Sequence, residues 1–126
     1  MSKGVYSLLI ELKRDQEIKI GSLGKFKFPK GFYIYTGSAL NNLEARLIRH
    51  LKKQKKKFWH IDYFLTNKYV RIVGILTIKT SLMLECKLNQ AILKNLRASI
   101  FVKKFGSSDC DCESHFIYLE NNYSKK

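Results

Sequence analysis

Between residues 31 and 50 the chain reads GFYIYTGSALNNLEARLIRH, and the hydrophobic period changes within it from two to about 3.6. In the first half Tyr33 and Tyr35 fall on one side and Phe32, Ile34 and Thr36 on the other, which is the alternation of a strand. In the second half LEARLIRHLKK places Leu43, Leu47, Ile48 and Leu51 on one stripe of a helix. Thr36-Gly37-Ser38 reads as the turn between the two, and Asn41 or Asn42 as the helix cap, with Glu44 three residues after Asn41. A strand leading so directly into a helix requires both to share one small core. That excludes all-α and all-β architectures.

The remaining segments extend the same pattern. GVYSLLIEL (4–12) alternates Tyr6, Leu8, Ile10 and Leu12 against Val5 and Leu9, as a strand does. EIKIGSLGKFKF (17–28) reads as a hairpin with Gly21 and Gly24 as its turn points, and Pro29-Lys30-Gly31 punctuates the chain before the next strand. FWHIDYFLTN (58–67) is expected to be a short, mostly buried helix, and YVRIVGILTIK (69–79) a β-branched strand. A further helix is expected from about Thr80 to Arg97, then strand-like SIFVKKF and HFIYLE. The fold class is α+β, a small, mainly antiparallel sheet flanked by helices, in a single domain spanning 1–126.

Charge narrows the partners. The chain carries 24 Lys and Arg against 10 Asp and Glu, a net +14. Such an excess points to a polyanion, through attraction to phosphates and release of their counterions. Arg46, Arg49, Lys52, Lys53, Lys55, Lys56 and Lys57 all lie between positions 46 and 57, and this clustering favours nucleic acid over a merely lysine-rich surface. The apolar runs are short and broken by charge, no basic amphipathic helix with an aromatic face is evident, and the N-terminus lacks a cleavage site. A cytoplasmic protein without membrane contact is the expectation.

One carboxylate stands out. In the helix expected over 80–97, Leu82, Leu88, Ile92 and Leu96 lie within about 60° of Glu85, so Glu85 sits in the apolar stripe. A buried carboxylate needs a partner: a metal ion, an arginine or backbone donors. Arg46 and His50 stack four apart on what reads as the polar side of their helix, with Arg49 and Lys53 continuing it. The same face could serve simply as a phosphate-contacting surface.

In order along the chain, Gly4-Val5-Tyr6, Tyr35-Thr36-Gly37, Arg46 with His50, and Glu85 resemble the GIY-YIG nuclease superfamily. YTGSA, RLIRHL, FWHIDY, LEC and FGSSDCDC are similar to its Uri-type endonucleases, a small prokaryotic subgroup. The resemblance implies a three-stranded antiparallel core with an inserted hairpin, and hydrolysis of phosphodiesters, with DNA the expected substrate. It implies one divalent ion, Mg²⁺ or Mn²⁺, held by Glu85 with several waters. Arg46 would stabilise charge developing on phosphorus, and Tyr6 or Tyr35 would orient or deprotonate the attacking water. His50 would assist proton transfer or contact the phosphate. Gly37, Ser38, Arg49 and the lysines at 52, 53, 55, 56 and 57 would face the nucleic acid, and Ser38 stands where several repair enzymes carry lysine. Targeting would come from a partner protein or a homodimer.

Two further motifs carry competing readings. Cys110, Cys112 and His115 have the ligand types for zinc, with Cys86 or His60 able to complete the set; buried thiols or a disulfide to Cys86 fit the same residues. In WHID, His60 and Asp62 are two apart and point away from each other on a helix, so a core segment filled by Trp59 is favoured over a His–Asp pair. The alternative to an enzyme is a basic module that binds DNA or RNA without cutting it.

Overall fold

A computed structural model of the chain describes residues 3–39, 42–57, 59–79, 91, 98–100 and 116–119. Among the described residues, seven strands and two α-helices form a mixed α+β architecture. The strands are β1 (Gly4–Leu12), β2 (Gln16–Lys19), β3 (Lys25–Phe28), β4 (Gly31–Ala39), β5 (Val70–Lys79), β6 (Ala98–Ile100) and β7 (Phe116–Leu119). The helices are α1 (Leu43–Leu51) and α2 (His60–Leu65). Five strands make one sheet in the order β5-β1-β4-β7-β6, and β2 and β3 make a separate hairpin. All the pairings among the described residues are antiparallel.

The register of β1 on β4 sets the core. Tyr6 lies opposite Gly37, Leu8 opposite Tyr35 and Ile10 opposite Tyr33, so these residues share one face. That face is closed by aromatic rings from every layer. Phe28 of the hairpin, Tyr33 of β4, Phe64 of α2 and Phe116 of β7 meet at centroid distances of 4.8–6.2 Å. The hairpin is therefore part of the core, contributing Ile18, Ile20 and Phe28. Its turn uses Gly21 and Gly24 at positive φ, where a side chain would be strained.

Two local expectations change. Thr36-Gly37-Ser38 is not a turn, because β4 continues to Ala39 and stays paired with β1 as far as Gly4. The backbone hydrogen bonds offered by β1 extend the strand beyond the aromatic alternation. The face of α1 is also rotated. Leu43, Leu47 and His50 point inward, whereas Ile48 and Leu51 are 57% and 55% exposed. Spacing of i, i+3, i+4 and i+7 places Arg46 on that inward face too. Sheet contacts outweigh the two aliphatic side chains, and the basic "polar side" becomes the side facing the sheet. Asn42 caps this helix, accepting from the Ala45 N–H at 3.0 Å, and Glu44 pairs instead with Lys79 at 3.6 Å. The helix expected over 80–97 lies outside the described residues except for Ala91, which is helical.

Candidate active site

The inward face of α1 meets the far ends of β1 and β4. The Tyr6 hydroxyl lies 2.6 Å from His50 Nε2, and each residue is only 2% exposed. The Tyr35 ring is 6.4 Å from that of Tyr6 and 6.1 Å from that of His50. The three elements thus bring Tyr6, Tyr35 and His50 into one cluster, although 44 residues separate the hydrogen-bonded pair.

Gly37 makes that cluster sterically possible. A Cβ there would stand 2.5 Å from the Tyr6 hydroxyl oxygen and 2.7 Å from Cζ of the same ring. The Tyr6 ring crosses directly over the glycine opposite it, which is why the position has no side chain.

Arg46 is held beside this cluster by two contacts. Nη1 donates to the Ser38 carbonyl at 2.6 Å, and the guanidinium lies 4.6 Å from the Trp59 ring centroid. Arg49 occupies the same indole at 4.3 Å and makes a two-pronged pair with Asp62 at 2.8 and 2.9 Å. Asp62 is fully buried. It also accepts from the Trp59 backbone N–H at 2.8 Å, at the start of α2, and faces Lys55 at 3.7 Å. Stacked guanidinia on one indole, with a buried carboxylate behind, give a fixed cationic platform. Trp59 also approaches the His50 ring, at 5.8 Å. It is therefore a partly exposed wall of the site rather than an interior filler.

Sequence reasoning missed Asp62 and the placement of Trp59. The criterion applied to Glu85 would have found the first. Asp62 stands among Ile61, Phe64 and Leu65, which are all buried, immediately after a run of lysines able to neutralise it.

Burial holds His50 far below the ordinary imidazole value, at about 3. Lys55, Arg49 and Arg46 add to the depression, and Asp62 opposes it. His50 is therefore neutral at neutral pH. Its Nδ1 is buried and has no hydrogen-bond partner among the described residues.

The lysines divide into two groups. Lys53 turns its ammonium onto the carbonyls of Leu65, Asn67 and Val70, closing the C-terminal end of α2 against the start of β5. Lys55 donates to the carbonyls of Arg49 (2.9 Å) and His50 (3.3 Å), at the C-terminal end of α1. Burial lowers the pKa of both. Lys52, Lys56 and Lys57 are exposed, and Lys57 lies 5.5 Å from the Tyr63 ring centroid.

Glu85, Cys110, Cys112 and His115 lie outside the described residues, as do Cys86 and Ser107 to Asp109. Among the described residues no cluster of three or more His, Cys, Asp or Glu could hold a metal. Asp62 is already saturated by Arg49, Lys55 and an amide. Among the described residues no helix is long and apolar enough to cross a membrane.

Comparison with curated proteins and with solved structures yields no match. Residues 5–126 match the family described as Domain of unknown function DUF123, to which the chain belongs.

Proposed function

We propose that the protein is a metal-dependent endonuclease of the GIY-YIG type, of the Uri-type subgroup, hydrolysing phosphodiester bonds in DNA. The supporting observation is the Tyr6–His50 hydrogen bond, with Tyr35 and the anchored Arg46 around it. A pocket that pairs a phenol with a neutral imidazole beside a fixed guanidinium suits attack of water on a phosphodiester.

Tyr6 positions the attacking water through its hydroxyl, and His50 orients that hydroxyl through Nε2. In the tautomer protonated on Nδ1, Nε2 accepts from the phenol. As water attacks phosphorus, its proton passes to the Tyr6 oxygen while the phenol proton passes to Nε2, so that no charge is left on the ring oxygen; the P–O bond to the departing oxygen breaks, and that oxygen takes its proton from solvent. A substrate phosphate beside His50 raises its basicity, because an anion favours the charged imidazole. Arg46 faces the charge building on the phosphoryl oxygens, and its bond to Ser38 and stacking on Trp59 hold it without reorganisation. Glu85 would hold Mg²⁺ or Mn²⁺ with several waters, and the ion would supply charge neutralisation at the phosphate.

Burial of both Tyr6 and His50 is the observation that favours the alternative, a DNA- or RNA-binding module without catalysis. A labelled panel of duplex, single-stranded, flapped and branched DNA, with RNA beside it, separates the readings. Cleavage with Mg²⁺ or Mn²⁺, none with EDTA and none by Glu85→Ala or His50→Ala supports the enzyme. Tight binding without cleavage under either metal moves the assignment to the module.

A further inference from the structure

A second group of cations lies at the opposite end of β1 from Tyr6. The Tyr69 ring has the Arg14 guanidinium 5.0 Å and the Lys68 ammonium 5.2 Å from its centroid. Lys13 joins the group because its backbone N–H donates to the Tyr69 carbonyl at 2.9 Å. It is also near enough to Lys53 to help lower that ammonium's pKa. Lys13, Arg14 and Lys68 are exposed and make no ion pair among the described residues. The neighbouring acids are engaged elsewhere: Asp15 accepts from the Lys30 N–H at 2.7 Å, and Glu11 pairs with Arg71 at 2.7 Å.

Gathering unpaired cations around one ring is unfavourable in the free protein and becomes favourable when a polyanion neutralises them. Lys53, two residues beyond the end of α1, is the cation nearest this group on the helix side. We infer that Lys13, Arg14 and Lys68, arranged about Tyr69, form a second phosphate-backbone contact for duplex DNA, remote from the cleavage site. Lys13 lies seven residues beyond Tyr6, or roughly 23 Å at the rise of a strand. That span corresponds to roughly seven phosphates along one strand of a duplex. This inference rests on the nucleic-acid reading above and names the track by which the substrate is held.

The test is salt-dependent binding of a duplex of roughly two helical turns, in Ca²⁺ or EDTA so that nothing is cut. The triple variant Lys13→Gln, Arg14→Gln, Lys68→Gln is compared with a control of equal charge change, Lys19→Gln, Lys25→Gln, Lys27→Gln on the hairpin. Thermal melts establish that both are folded, and Lys68→Arg serves as a charge-keeping variant that should bind like the parent. The expected result is a salt slope shallower by about 2–3 and an affinity lower by roughly 10–100-fold for the first triple variant, with little change for the control. Equal losses in both variants, or none in the first, would overturn the second contact while leaving the nuclease reading intact. A loss confined to vesicles of anionic lipid, with the DNA slope unchanged, would overturn it in favour of a membrane contact. Absence of DNA binding by the parent would overturn both.

Discussion

Replacing Gly37 by alanine should dismantle the Tyr6–His50 pair by crowding the Tyr6 ring. The added Cβ would lie 2.7 Å from Tyr6 Cζ, 2.5 Å from its hydroxyl and 3.2 Å from Cε2 of Tyr35. Carbon atoms rest at about 3.5–4.0 Å, so the Tyr6 ring must withdraw by roughly 0.8 Å or more. The 2.6 Å hydrogen bond to His50 does not survive such a displacement, because the ring is confined between the strand and the imidazole. Overpacking contributes about 1–3 kcal/mol and the lost buried hydrogen bond about 1 kcal/mol, giving about 2–4 kcal/mol in all. For a domain of this length the corresponding fall in Tm is roughly 8–16 °C. The assay is a melt of the wild type, Gly37→Ala, Tyr6→Phe and the double variant, with the His50 ring followed by NMR. Removing the hydroxyl relieves part of the clash, so the double variant should be less destabilised than the sum of the singles by about 1 kcal/mol. A Gly37→Ala protein melting within about 2 °C of the parent, with unchanged His50 resonances, would refute the crossing of Tyr6 over Gly37.

His50 should make the fold acid-sensitive. Between its ordinary value of 6.5 and its folded value of about 3 the unfolded chain binds one more proton, so stability falls as pH falls through that window. The slope is about 1.4 kcal/mol per pH unit, and urea titrations near neutrality and near pH 4.5 should show it in the parent and lose it in His50→Gln. Asp62→Asn should destabilise by about 3 kcal/mol or more by leaving Arg49 and Lys55 without their buried partner, measured by chemical denaturation. Lys53→Met should cost about 1–3 kcal/mol of stability, because three carbonyls lose their donor. Lys52→Gln should leave stability unchanged and weaken DNA binding by a constant factor across sequences, which would show that adjacent lysines in one charge run do different work.

The elements and their faces were legible in the sequence wherever one period dominated. Tyr6, Leu8, Ile10 and Leu12 alternate in GVYSLLIEL and line the core of β1 as read, and FWHIDYFLTN contains a short buried helix. The hairpin with its two glycine turn points was legible for the same reason, since positive φ leaves few alternatives to glycine. Which side of α1 faces inward was not. Hydropathy favours burying Leu43, Leu47, Ile48 and Leu51 over Leu43, Arg46, Leu47 and His50, yet the second stripe faces inward and Ile48 and Leu51 stay exposed. Docking decided it, because the Tyr6 hydroxyl and the Ser38 carbonyl offer hydrogen bonds to His50 and Arg46 that no local rule contains. The same holds for the lysine run. Composition determined a positive surface, but only tertiary packing brought the carbonyls of Leu65, Asn67 and Val70 to Lys53, and Asp62 to Arg49 and Lys55. Periodicity and turn chemistry act within a few residues and so can be read from the chain. The pairing of a phenol on β1 with an imidazole 44 residues away depends on the register of two strands and the rotation of one helix, and those exist only once the chain has folded.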